Sequence, residues 1–423
     1  MPIPERTGEP SIFEHVVYII KENRTYDQLF GDMPEGNGDP ELCVFGREVT
    51  PNHHALAEQF VLLDNFYCNG VNSADGHSWV TEGNVTDHLE KPFGGFTRSY
   101  TWGDDPLTYS SSGFIWDNVL LHGLSFRNYG EMDYAEPVPK EATFEDIYQD
   151  FIGKAGRIRF SQNIGIETLR QYSCPGYPGW NMKIPDILRV EVFLKELKEY
   201  EKKGEWPNFI ILYLPNDHTS GTSPGAPTPR AQVADNDLAL GRAVEGITQS
   251  TFWPKPCIFV IEDDPQAGFD HLDGHRSICL VISPYTRRGA VVSQFYSQTS
   301  VLHTMERILG LPPMNQMDAI APVMRDCFTD TPDFQPYTAL PNRIPLDEMN
   351  PKVGSLRGNA LYWAKKSLDE PFDQFDQADE DTLNRIIWHS VKGVEAPYPA
   401  HLAGAHGTGL KALNLVLVGD DAD

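Results

Sequence analysis

The sequence predicts an α/β protein: a doubly wound, mainly parallel sheet with helices on both faces. Two observations carry this. Short, uniformly apolar runs rich in β-branched residues recur along the chain, and runs with helical spacing alternate with them. Strands buried on both faces read as continuous apolar stretches, whereas half-exposed strands alternate. A third observation concerns the strand ends. The strongest strands run out into clusters of polar residues, and in open α/β sheets ligands bind where strands end.

The first strand is read over residues 15–20, running directly into Lys21-Glu-Asn-Arg-Thr-Tyr-Asp27. Further strands are read over 60–63, 209–214, 257–261 and 278–282, with a fainter one over 125–129. The last two strong runs, 257–261 and 278–282, are expected to lie parallel in the sheet. Residues 184–203 open on Ile-Pro-Asp and carry Val190, Leu194 and Leu197 at helical spacing, a helix with Pro at its start. A second helix beyond Arg230 aligns Val233, Leu240, Val244 and Ile247. A third, from about residue 300 to 309, is stopped by Gly310 and Pro312. His53 and His54 open a further helix and read as surface or supporting residues.

Residues 84–112 are rich in Gly, Ser, Thr and aromatics without periodicity, and read as a loop region inserted over the sheet. From about residue 330 the chain turns to Pro-rich loop and then to helices near 355–368 and 378–391. The expected organisation is a core over 1–325 with an insertion at about 84–180, then a helical C-terminal cap over 326–423. The acidic run 376–381 reads as a solvated helix start.

With 60 acidic against 34 basic residues the 423-residue chain carries a formal charge of -26, which argues against general nucleic-acid binding. A phosphate ester held at a metal is not excluded, because the ion's charge dominates locally. No run of eighteen apolar residues is present, so no membrane-spanning helix is expected. No basic segment leading into an apolar stretch opens the chain, so no signal peptide is expected, and the compartment stays open. Of six cysteines, Cys257 and Cys279 fall in strands and read as buried thiols; Cys43, Cys68 and Cys174 are candidates for pairing in an oxidising compartment.

The chemistry concentrates in four clusters: Glu22-Asn23, Ser73-Ala-Asp-Gly-His77, Asn216-Asp-His218, and the stretch from Glu262 to His275. The last packs Glu262, Asp263, Asp264, Asp270 and Asp273 with His271 and His275 between two strands. Carboxylates crowded at one sheet edge repel one another unless a cation neutralises them. One or two divalent ions, Zn2+, Mn2+ or Ca2+, are therefore expected.

Lys21-Glu-Asn-Arg-Thr-Tyr-Asp27, Pro215-Asn-Asp-His218 and Asp263-Asp-Pro-Gln-Ala-Gly-Phe-Asp-His271 resemble the phosphoesterase family of phosphatidylcholine-type phospholipases C and related acid phosphatases. That family belongs to the alkaline phosphatase superfamily, and the resemblance spans roughly residues 14–315. It implies an alkaline-phosphatase-like fold and a covalent phospho-enzyme. It also implies metal ligation by Glu22, Asn23, Asp263 and Asp264, with Ser73 as metal-bound nucleophile. His218 matches the histidine after the Asn-Asp turn, and His275 a ligand histidine before the next strand. The family more often has Asp-Glu where this chain has Asp263-Asp264, and Glu262 is an additional acid. Asp75-Gly76 departs from the phospholipase versions. The Cys/Ser-x-Pro-x-Arg segment that makes formylglycine in sulfatases is absent around Ser73.

The residues support those roles on chemical grounds. A serine hydroxyl needs a base or a metal to become a nucleophile at neutral pH. Ser78 and Thr81 are the competing hydroxyls. His218, His275 and Asp217 are candidates for a second metal, and His218 and His77 for proton transfer. Lys21, Arg24 and His271 are candidates for binding the phosphoryl group. The reading is a phosphoesterase acting on small-molecule mono- or diesters. The alternatives are a phospholipase C and a non-catalytic, metal-stabilised binding module with Ser73 idle.

Overall fold

A computed structural model of the chain describes residues 2–91, 105–372 and 377–408. Its strands are β1 (His15–Lys21), β2 (Val61–Leu63), β3 (Phe66–Tyr67), β4 (Phe126–Tyr129), β5 (Asp133–Val138), β6 (Arg159–Ile164), β7 (Phe209–Leu214), β8 (Pro256–Glu262), β9 (Arg276–Ser277), β10 (Cys279–Ile282), β11 (Ala290–Val292) and β12 (Tyr296–Ser297). Seven of them form the main sheet in the order β11-β2-β10-β8-β1-β7-β4. β1 pairs in parallel with β7 and β8, and β7 with β4. The expectation of a parallel run over 278–282 is corrected: β10 is antiparallel to both β8 and β2. No helix intervenes between β8 and β10, and a parallel return would need a crossover.

The alternation hidden inside the apolar runs builds two cores. Val17 and Ile19 of β1, with Ile210, Leu212 and Leu214 of β7, face one side. There they meet the helices Asp186–Lys203 and Pro229–Thr248 through Val190, Leu197, Leu240 and Val244. Val16, Tyr18 and Ile20, with Ile211 and Tyr213, face the other side and the helix Gln298–Leu309 through Val301, Leu302 and Met305. Successive strand residues point to opposite faces, so the middle of a sheet covered on both sides is apolar on both.

The stretch expected as an insertion supplies edge strand β4, the antiparallel hairpin of β5 and β6, and the helix Phe144–Ile152. Part of the aromatic segment read over 84–112 lies outside the described residues. So does Asp376 of the acidic run; beyond it, Asp379 caps the helix Glu380–Lys392. That helix, together with Gly358–Asp369, forms the C-terminal part. It packs at the site end of the sheet: Asn384 Nδ2 donates to the Gln266 carbonyl at 2.8 Å, and Phe372 approaches His218 at 6.4 Å between ring centroids. All six cysteines are free thiols. No described helix is long and apolar enough to cross a membrane.

One core carboxyl makes stability depend on pH. Glu82 ends the helix Ser73–Glu82, is buried, and is pushed up to about 8 by burial, against a bond from the Ser110 N–H. A carboxyl raised on folding binds its proton more tightly in the folded state. Its contribution is present below the unfolded value and is lost as pH rises toward about 8. Glu82→Gln should therefore gain stability relative to the parent between pH values of about 5 and 8, with no further gain above. Urea unfolding across that range checks it, and a difference independent of pH would contradict it.

Candidate active site

Three parallel strands deliver the site at their carboxyl ends. Lys21 is in register with both Leu214 and Glu262, so the chain leaves β1, β7 and β8 at one level. Glu22 and Asn23 come directly after β1, the turn Asn216–His218 after β7, and Asp263-Asp264 after β8. Asn23 holds φ +65°, a left-handed conformation that Asn tolerates better than other residues with a Cβ. The helix Tyr26–Phe30 is capped by Thr25, so Glu22-Asn23 is not its cap.

Ser73 opens a helix, Ser73–Glu82, rather than sitting in a turn. Asn72 caps it through a bond from Ala74 N–H, and Asp75 answers from the first turn. Gly76 explains the departure from the phospholipase pattern. A Cβ there would lie 2.7 Å from the Asp263 carbonyl oxygen and 3.1 Å from the Asp264 Cβ. Only Gly lets this helix sit against the end of β8 and bring Ser73 to the carboxylates.

Ser73 Oγ lies 2.9 Å from Asp264 Oδ2 and 3.1 Å from Glu22 Oε2, and accepts from Asn23 Nδ2 at 3.1 Å. Its single proton serves one carboxylate at a time, while Asn23 fixes the oxygen. Asn23 Nδ2 also donates to Asp264 at 3.0 Å. His77, one helical turn on, places Nε2 at 3.2 Å from Glu22 Oε1 and 3.5 Å from Asp263 Oδ2, with Nδ1 at 2.8 Å from Glu131 Oε1. Tyr213 OH donates to Glu22 Oε1.

The electrostatics call for a cation. Glu22, Asp263 and Asp264 are fully buried, and neither oxygen of Asp263 receives a hydrogen bond. Asn23 Oδ1 is likewise a buried acceptor without a donor. Burial, then the neighbouring Glu22 charge, push Asp263 well above the usual carboxylate range. Burial works against protonating His77, yet the Glu131 carboxylate and the bonds to Glu131 and Glu22 push it well up. Glu22, His77 and Asp263 each offer a ligand atom within 4.8 Å of the others. The donor set thus fits a divalent ion.

A second group of the same size, Asp27, Asp270 and His271, does not fit one. Arg276 already occupies it, with Nε 3.0 Å from both oxygens of Asp270 and Nη2 2.9 Å from Asp27 Oδ1. Asp27 Oδ2 accepts from His271 N–H and meets His271 Nδ1, both at 2.7 Å. The guanidinium is the counter-ion here.

The remaining candidates brace the site or lie outside it. Lys21, fully buried, lies 2.7 Å from both Glu262 and Asp217. Arg24 spends Nε and Nη2 on the carbonyls of Asp217 and His218, clamping that turn. Asp217 Oδ1 accepts from Glu22 N–H at 3.1 Å and braces the end of β1. His218 is buried beside Trp180, 4.9 Å between ring centroids, with Nδ1 2.9 Å from the Thr219 carbonyl and Nε2 3.5 Å from Gln266 Nε2. His275 is not brought to the carboxylates: its Nδ1 turns back to Asp273 at 2.7 Å and its side chain is part-exposed. His271 joins the Arg276 group. Sequence reasoning passed over Glu131, Tyr213, Gln266 and Trp180. Glu131 carried a usable signal, since it comes just after the faint strand over 125–129 as Glu22 comes after β1.

With this geometry in place, the chain is assigned to a class by sequence: it belongs to the Phosphoesterase family, whose model matches residues 41–312. It is therefore a hydrolase acting on ester bonds, of the phosphoester kind. The matched span contains Ser73, His77, Glu131, His218, Asp263 and Asp264, and Glu22-Asn23 precede it. Among solved structures, the chain is similar to a protein in the alkaline phosphatase superfamily from Vibrio parahaemolyticus, at 17% identity over 77% of this chain and 74% of that one, with a TM-score of 0.47. It is also similar to the PsFucS1 sulfatase from Pseudoalteromonas sp., at 13% identity over 76% and 73% of the two chains, TM-score 0.46. A third is murine ectonucleotide pyrophosphatase/phosphodiesterase 5, at 11% identity over 74% and 100%, TM-score 0.44. No curated protein matches the chain in sequence.

Proposed function

We propose that the chain is a metal-dependent phosphoesterase that hydrolyses small phosphate mono- or diesters through a phosphoserine at Ser73. The observation that carries this is Ser73 Oγ within 3.1 Å of Glu22 and 2.9 Å of Asp264, beside an Asp263 carboxylate with no hydrogen-bond donor. Glu22, Asp263, Asp264 and Asn23 would hold the cation, with His77 beside them. A divalent ion there lowers the pKa of a bound hydroxyl and offsets charge on phosphoryl oxygens.

The side chains then carry the reaction. Ser73 Oγ attacks phosphorus, the Oγ–P bond forms, and the bond to the leaving alkoxide breaks. The hydroxyl proton passes to Asp264, and solvent protonates the alkoxide. The positive end of the helix Ser73–Glu82 faces the developing charge. Water next attacks phosphorus, the Oγ–P bond breaks, and Asp264 returns its proton to Oγ, which restores Ser73. Burial holds the His218 pKa down, so its imidazole is neutral near pH 7 and suited to take the water's proton.

Rapid quenching with a nitrophenyl phosphate monoester, then peptide mass spectrometry, should find phosphate on Ser73. Phosphate on Ser78 or Thr81 instead would reject the nucleophile. Rates on the monoester, its diester and phosphatidylcholine should favour the soluble esters. Faster lipid hydrolysis would instead support a phospholipase C. Chelation should abolish turnover, and Zn2+, Mn2+ or Ca2+ should restore it. A chelator that melts the fold of a protein without activity at any stage would support the binding module.

A further inference from the structure

We propose that Glu131 is a positioning residue that turns His77 into a nitrogen ligand, biasing the site toward a borderline ion such as Zn2+ over Ca2+. This rests on the reading that the Glu22 group holds a cation. Glu131 is fully buried, and its loop is fixed on both sides: Asn128 Nδ2 donates to the Glu131 carbonyl at 2.9 Å, and Glu131 N–H donates to Asn128 Oδ1 at 3.2 Å. Gly130 makes the turn at φ +92°, where a Cβ would meet the Tyr177 ring at 2.8 Å. The carboxylate is thus delivered in one orientation, 2.8 Å from His77 Nδ1.

A carboxylate at that distance accepts the Nδ1 proton, so that with a cation bound the Nε2 lone pair would face the ion. Nε2 faces Glu22 Oε1 at 3.2 Å and Asp263 Oδ2 at 3.5 Å. These three atoms lie within 4.8 Å of one another, and a cation among them would take the place of a proton on Nε2. The two separations from Nε2, 3.2 and 3.5 Å, are close to the ~3.4 Å expected of ligand atoms set tetrahedrally at ~2.1 Å around one ion. The Tyr213 ring packs on the imidazole edge, 5.6 Å between centroids, while its hydroxyl holds Glu22, so both ligands are braced by one residue. A carboxylate behind a ligating histidine fixes the tautomer and raises its basicity. Oxygen-only sites suit Ca2+, and an imidazole moves the preference toward Zn2+.

The test measures Zn2+ and Ca2+ affinities by chelator competition on the full chain, for the parent, Glu131→Gln and Glu131→Asp. Glu131→Gln should weaken Zn2+ about 10–100-fold and Ca2+ by less than about threefold, with Glu131→Asp recovering part of the Zn2+ loss. Unchanged Zn2+ affinity in a folded Glu131→Gln protein would overturn the proposal. So would equal losses for both ions, which would mark a simple charge effect. Should Glu131→Gln not fold, zinc X-ray absorption on the parent decides: imidazole scattering supports the assignment and its absence overturns it. A parent that binds neither ion would defeat the underlying reading and this inference with it, an outcome distinct from the others.

Discussion

Ser73→Ala should lower kcat on a nitrophenyl phosphate ester by on the order of 10^4-fold or more, the scale at which losing a nucleophile registers. The fold should survive, because Asn72 and not Ser73 caps the helix. The competing hydroxyls point elsewhere. Ser78 Oγ lies 3.5 Å from the Ala74 carbonyl, and Thr81 Oγ1 donates to the His77 carbonyl at 2.6 Å. Both are turned back onto their own helix, so Ser78→Ala should stay within a few-fold of the parent. Circular dichroism and urea unfolding would establish that Ser73→Ala is folded. A folded variant within tenfold of the parent's rate would remove Ser73 from the mechanism.

The legible parts of this molecule are those where one physical demand sets several neighbouring residues. β1, β7 and β8 are buried on both faces, so their middle positions are apolar without alternation and the runs stand out. Strand direction has no such signature, which is why β10 reads like its neighbours although it runs the other way. The Ser73 helix was illegible for a different reason. Its first turn lies among polar partners, so burial places Ser, Asp, Gly and His where an amphipathic helix would show a stripe, while Val80 further on joins the apolar core. The spacing Asn72 to Asp75 was its one local sign.

Site residues divide along the same line. Glu22, Asn23, Asp263 and Asp264 sit at the ends of strong strands, and strand register fixes where they meet. Glu131 comes after an edge strand whose Arg127 and Asn128 blur the apolar run, so the same argument was not extended to it. His275 looked like a ligand because it matches a ligand histidine just before the next strand in the family it resembles. A turn bond to Asp273, two residues back, satisfies it locally, and sequence spacing does not reveal such competition.

The largest effect on stability should come from Lys21→Met. Lys21 Nζ sits 2.7 Å from Asp217 Oδ2 and 2.7 Å from Glu262 Oε1, and all three side chains are fully buried. Burial alone would lower the Lys21 pKa, but the Asp217 and Glu262 charges outweigh it and keep the ammonium protonated. Without it, two buried carboxyls face each other with only the Arg24 guanidinium, beyond ion-pair distance, to offset them. Breaking a buried pair this way costs about 3–5 kcal/mol, most of it from the charges left behind. Lys255, whose pair with Glu14 is half exposed, provides the contrast: Lys255→Ala should cost less than about 1 kcal/mol. Urea midpoints with unchanged slopes would measure both. If stranded charge is the cause, adding Asp217→Asn and Glu262→Gln to Lys21→Met should recover much of the lost stability. A Lys21→Met protein within about 1 kcal/mol of the parent would show that the triad is dispensable to the fold.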